Sequence, residues 1–165
     1  MVFTLTLRML KNREEAEEIA QDVFIKVYRS LHKFKGESKL STWIYKVTYY
    51  ACLDQLKKTK KYEREVAINE FNANQLEIID NALGHLIAEE RRQLVKRCID
   101  RLSSENAYLI TLFYFEELSL DEIAEVIGAK ANAVKVKLFR ARQKLAEIIK
   151  ELMSPEELMN YGTQG

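Results

Sequence analysis

Six cationic side chains, Lys130, Lys135, Lys137, Arg140, Arg142 and Lys144, fall within fifteen residues of this chain, and Phe139 stands among them. Cations at that density meet phosphates rather than make or break bonds. On a helical wheel Val134, Leu138, Ala141, Leu145, Ile148 and Ile149 share one side. Lys135 and Arg142 flank that stripe on one edge, and Lys137, Arg140 and Lys144 on the other. Phe139 lies nearly opposite the stripe, beside Val136 and Gln143. An outward Phe on a basic helix is wasteful on a merely solvated face. It makes sense in a DNA major groove, where an apolar side chain touches a thymine methyl and cations meet phosphates or guanine edges. The competing reading is a basic helix that merely packs.

A second constellation lies upstream in "FKGESKLSTWIYKVTYYACLDQLKKTKKYER", residues 34–64. As a helix it puts Ile44, Val47, Thr48 and Ala51 on one face and spreads Trp43, Lys46, Tyr49, Tyr50 and Lys57 over the other. Aromatics interleaved with cations suit single-stranded nucleic acid, because stacking contributes roughly 1–3 kcal/mol per base while lysines follow the backbone. Against this stands the ordinary use of helical Trp and Tyr as core. Catalysis has little to work with: there is no phosphate-binding loop, no metal-ligand spacing and no nucleophile beside a base. Cys52 and Cys98 sit in apolar helical surroundings, as buried thiols of a reducing compartment would, and His32 and His85 are isolated. Neither a metal nor a cofactor is expected.

The elements that must position these groups are helices. The chain of 165 residues has five Gly and one Pro and little strand-like alternation, which predicts an all-α fold. Asn12 with Glu15 opens a long amphipathic helix to about Phe34, carried by Ala16, Ile19, Ala20, Val23, Val27 and Leu31. After a loop at Lys35–Leu40, Ser41 or Thr42 opens a second helix to about Lys58. A polar, acidic connection follows, with a helix around Gln75–Ile87. A basic helix spans 89–102. Ser103 or Ser104 caps another through Phe115, with Leu109, Leu112, Phe113 and Phe115 as its core. Ser119 and Glu122 form a capping box, Ile123, Ala124 and Ile127 face inward, and Gly128 ends that helix. Asn132 then caps the basic helix. Small Ala124, turn Gly128 and apolar Val134 make a helix-turn-helix pattern. Charge follows the same division. Residues 35–64 hold 8 basic and 3 acidic groups, 65–90 none and 6, 103–128 none and 6, and 129–150 hold 7 and 1. Two basic blocks separated by acid read as two contacts on one polyanion, within two small helical domains joined by a linker. No apolar run reaches the roughly 20 residues of a membrane span, and MVFTLTLRML lacks a basic leader.

These residues resemble the bacterial RNA polymerase sigma factors of the extracytoplasmic-function (ECF) group. "NREEAEEIAQDVFIKVYRSLHKFKGESKLSTWIYKVTYYACLDQLKK" is similar to that family's second region, and "LITLFYFEELSLDEIAEVIGAKANAVKVKLFRARQKL" to its fourth. The resemblance implies a region 2-like domain over 1–61, a linker over 62–88, a region 4-like domain over 89–152 and a tail over 153–165. It implies a cytoplasmic protein that is not an enzyme. Such a protein joins core RNA polymerase through the β′ clamp helices and β flap, directs it to promoter DNA and helps melt the duplex, under restraint by a dedicated anti-sigma factor. By the same likeness Gln21 and Asp22 dock on polymerase, and the wheel adds Ile25 and Glu18 to that polar side. Lys39, Trp43, Lys46, Tyr49 and Tyr50 fall at the −10 element, and Lys130, Asn132, Lys135, Val136, Lys137, Phe139 and Arg140 at the −35 element. The chain departs from the family pattern at Tyr49 and Tyr50, where Arg-Asn is common, and at Ala133 and Val136, where Thr and Ser are. The family normally carries a further helix before "FTLTLRML". Two other readings remain open from the residues alone: a stand-alone helix-turn-helix regulator that binds duplex DNA as a dimer, and a helical adaptor whose basic faces bind acidic proteins.

Overall fold

The computed structural model describes residues 1–59 and 89–152. Among them every regular element is helical: α1 (Val2–Leu10), α2 (Arg13–Ser30) followed by a 3-10 turn (Leu31–Lys33), α3 (Leu40–Lys58), α4 (Glu89–Arg101), α5 (Ser104–Tyr114), α6 (Leu120–Ile127) and α7 (Ala131–Leu152). The anticipated linker, its helix around Gln75–Ile87, His85 and the tail lie outside the described residues.

Helix α1 was not singled out from the sequence, although Val2, Leu5, Thr6, Met9 and Leu10 keep helical spacing. Its Val2, Leu5, Met9 and Leu10 are buried, and the Thr6 hydroxyl donates to the carbonyls of Phe3 and, across to α2, Ala16 at 2.9 and 3.0 Å. Tertiary contact thus holds a Thr-rich segment in a helix. Lys11 turns the chain with φ 56°, and Asn12 caps α2 by accepting the Glu15 N–H at 3.0 Å. Ala16, Ile19, Ala20 and Val23 form the buried stripe of α2. Helix α3 begins a residue earlier than anticipated, at Leu40 after Lys39, and neither Ser41 nor Thr42 caps it.

In the second half Ser103 caps α5, and the Ser119–Glu122 capping box on α6 is complete in both directions, at 3.2 and 2.9 Å. Gly128 closes α6 in the left-handed region with φ 67°. A Cβ at Gly128 would meet only the Tyr50 hydroxyl, the movable tip of a partly exposed side chain, so it is the left-handed turn that requires glycine. Helix α7 starts at Ala131, which places Asn132 inside its first turn rather than at the cap. Its stripe is as the wheel predicts, with Val134, Leu138, Ala141, Leu145, Ile148 and Ile149 all buried.

The two halves do not sit apart. Helix α3 packs along α6 and α1 along α5, and one continuous core runs through both halves. Tyr108 of α5 is fully buried in it, with its ring 5.2 Å from that of Tyr49 and its hydroxyl donating to the Tyr45 carbonyl at 2.8 Å. Four expectations are corrected. Leu31, expected on the buried stripe of α2, and Phe115, expected in the core, are each 46 % exposed; Gln143, expected on the outer face, is buried; and Tyr49, expected outward, is buried against the second half.

Candidate nucleic-acid interface

The second half offers the more complete site. Helix α6 and the Gly128 turn set α7 so that its apolar stripe is sealed and its other side faces solvent. Lys130, Asn132, Lys135, Val136, Phe139 and Arg140 are all exposed on or beside the first turns of α7. Val136 at 50 % and Phe139 at 40 % are large apolar groups held in water by a helix whose own core is full. Phe113, Leu120, Leu138 and the stem of Lys135 continue that surface into a shallow apolar hollow. Lys137 stands differently: its ammonium bonds Glu105 of α5 at 2.6 Å, bracing α7 rather than standing free. Arg142 stacks over Phe113 and Tyr114, with its guanidinium carbon 5.1 and 5.2 Å from the ring centres.

The first half divides its residues between two surroundings. Phe34 and Trp43 pack ring to ring at 5.5 Å where the loop enters α3, with Lys46 one turn on and half-buried. Lys39, Tyr49 and Tyr50 instead face the second half. The Lys39 ammonium lies 2.9 Å from Glu122 Oε1, Tyr50 lies over Gly128, and Tyr49 is 5 % exposed. The Tyr45 hydroxyl, which the sequence did not single out, donates to Glu116 from beneath this seam. Burial first, then the Glu116 carboxylate, pushes that phenol well above its usual range. Glu122 is held down at about 2, first by the Ser119 backbone N–H and next by Lys39. Burial alone pushes the Cys52 thiol up to about 12, so it is inert as a nucleophile. Among the described residues no group of three or more His, Cys, Asp or Glu is placed to hold a metal, and no helix is long and apolar enough to cross a membrane.

On α2, Glu18, Gln21, Asp22 and Ile25 are all exposed, as expected, and they have company. Phe24 at 58 %, Tyr28 at 83 % and Leu31 extend Ile25 into an outward apolar strip. The buried stripe of α2 is already satisfied, so this second one has no structural use within the described residues. Its signal was in the sequence: Phe24, Tyr28 and Leu31 recur at three to four residues, one step around the wheel from the core positions.

The comparisons with known proteins fit both halves. The model of sigma-70 region 2 matches residues 1–62, and that of sigma-70 region 4 matches residues 92–145. The chain is 31 % identical over 157 residues to the ECF RNA polymerase sigma factor SigW of Bacillus subtilis, spanning 92 % of this chain and 84 % of that protein. It belongs to the ECF RNA polymerase sigma factors. Other relatives are the RNA polymerase sigma-H factor of Pseudomonas aeruginosa, 28 % identical over 92 % of this chain and 82 % of that one. The ECF sigma-E factor of Escherichia coli is 28 % identical over 84 % and 76 %. Among solved structures the fold matches the sigma factor RpoE of Bartonella quintana, determined with the anti-sigma factor NepR, at a TM-score of 0.65, covering 90 % and 89 % of the two chains at 20 % identity. Family membership accounts for the first half of this sigma factor, which the stand-alone regulator and the adaptor readings leave without a role.

Proposed function

We propose that this sigma factor joins core RNA polymerase through the outer face of α2, directs it to a promoter and opens the duplex there. Its relatives are named as RNA polymerase sigma factors, and one neighbouring structure holds an anti-sigma factor. A dedicated anti-sigma factor is accordingly the partner that would hold this chain inactive. The protein carries no reaction of its own and acts in the cytoplasm, where polymerase and promoters are.

Residues 1–61 form the unit that meets polymerase and the −10 element, and residues 89–152 the unit that reads the −35 element. Glu18, Gln21, Asp22 and Ile25 meet the β′ clamp helices, with Phe24 and Tyr28 added by their exposure, and the second unit meets the β flap. Lys135, Val136, Phe139 and Arg140 enter the major groove at the −35 element, with Lys130 and Asn132 near its phosphates and Lys137 supporting α7 through Glu105. Lys39, Trp43, Lys46, Tyr49 and Tyr50 serve the melted strand at the −10 element. The observation that carries this reading is the pair of exposed Phe139 and Val136 among cations on the helix-turn-helix's second helix, joined in one chain to the exposed apolar strip of α2.

Permanganate reactivity of thymines tests it. With core polymerase and this protein on a promoter it supports, thymines of the −10 region become reactive, and they stay protected when either component is withheld. Protection in the full mixture, with specific duplex binding by the protein alone, would leave the stand-alone regulator standing.

A further inference from the structure

Two of the cations on α7 reach back to α5 instead of out to solvent. Lys137 bonds Glu105, in the first turn of α5, at 2.6 Å. Arg142 lies half-buried over Phe113 and Tyr114 at the far end of the same helix, its guanidinium carbon 5.1 and 5.2 Å from the ring centres. The two cations are five residues apart, or about 140° around the axis at 100° per residue. They stand on opposite edges of the buried stripe of Val134, Leu138, Ala141 and Leu145. Phe113 and Arg142 also line the hollow beside Val136 and Phe139. One of the two contacts therefore abuts the outward apolar pair itself.

We infer that Glu105 and the Phe113–Tyr114 pair are positioning residues for promoter reading: through Lys137 and Arg142 they fix the roll of α7, and so set sequence preference at the −35 element without touching DNA. The inference rests on the sigma reading above, in which Val136, Phe139 and Arg140 enter the groove. Apolar packing alone holds a helix loosely in roll, because burial is non-directional and a stripe of similar aliphatic side chains can slip. A roll of about 20° carries a side-chain tip about 6 Å from the axis through about 2 Å. That exceeds what a hydrogen bond to a base edge tolerates. A flexible lysine, by contrast, follows a phosphate through the same shift. Directional contacts on opposite edges of the stripe resist roll in both senses. On one edge it is a charge-assisted hydrogen bond, and on the other a planar guanidinium stacked on rings. On this assignment neither Lys137 nor Arg142 meets a phosphate.

The test measures two quantities on the full chain. One is the affinity ratio between a −35 duplex and the same duplex with that element scrambled; the other is the slope of log affinity against log salt. The duplex is taken upstream of a start site that run-off transcription with core polymerase defines. Glu105→Gln should lower the ratio by about threefold or more, although it removes an acid and leaves the scrambled duplex bound at least as tightly as before. Lys137→Gln should lower the ratio to the same extent with the salt slope unchanged, and the two together should do no more than either alone. Arg142→Lys keeps the cation but not the planar stack, and should also lower the ratio at unchanged slope. All three side chains are at least partly exposed, so the core is left intact. An undiminished ratio in Glu105→Gln or in Arg142→Lys would overturn the inference. So would a salt slope reduced by about one in Lys137→Gln, the mark of a lost phosphate contact, or effects of the first two substitutions that multiply. Failure of the sigma reading shows separately, as no start site when the protein is added to core polymerase.

Discussion

Glu122 does three things with one carboxylate: it closes the α6 capping box on the Ser119 N–H, meets Lys39 of the other half, and stays ionised to about pH 2 as a result. Because its folded value lies below the ordinary 4.5, its stabilisation is complete above about pH 4.5 and is lost as pH falls towards 2. Glu122→Gln should therefore lower the thermal midpoint at pH 7, and the gap between the two proteins should narrow below about pH 4.5 and close only near pH 2; a constant gap across that range would show that the charge is irrelevant. Arg140 lies off the buried stripe, so Arg140→Ala should weaken binding to the −35 duplex by about 1–3 kcal/mol, with circular dichroism unchanged. Undiminished duplex affinity would remove Arg140 from the groove. The wheel found Phe139 and Val136 correctly because a helix sealed against its own domain obeys a single period. It misplaced Gln143 and Tyr49, because burial there comes from packing partners that periodicity along one helix cannot see.

At the scale of elements, capping chemistry was the most legible feature. Asn12, Ser103 and Ser119 each accept from the N–H three residues on, as short polar side chains before an apolar run do. Ser119→Ala should cost about 1 kcal/mol, read as a lower midpoint in denaturant with the same slope. Helix α3 was read less well for a physical reason: it is apolar nearly all round, since one side packs on α1 and α2 and the other on α6. A wheel offers such a helix only one inner face, so the burial of Tyr49 on its second face was not legible from periodicity. Helix α2 is the converse case, with a full inner stripe and a surplus outer one. Asp22→Arg on that outer face should abolish association with core polymerase in gel filtration while leaving helicity intact. Co-elution at wild-type levels would place the docking face elsewhere.

At the scale of the molecule, two halves that the charge pattern separated share one core, and Tyr108 stands where they meet. Tyr108→Phe removes its buried hydrogen bond to Tyr45 and should cost about 1 kcal/mol, within a single cooperative unfolding transition monitored by calorimetry. Two resolved transitions would mean that the halves fold without regard to one another. The family and the all-helical class were legible in the sequence, because motifs are local. The mutual packing of the parts depends on shape across some sixty residues of chain, and no motif encodes it. The central claim is that this protein supplies promoter recognition to RNA polymerase, and run-off transcription tests it most directly. Core polymerase with genomic fragments of the source organism should yield discrete new transcripts only when the protein is added. Identical transcripts with and without it, under conditions where core polymerase binds the protein, would contradict the account.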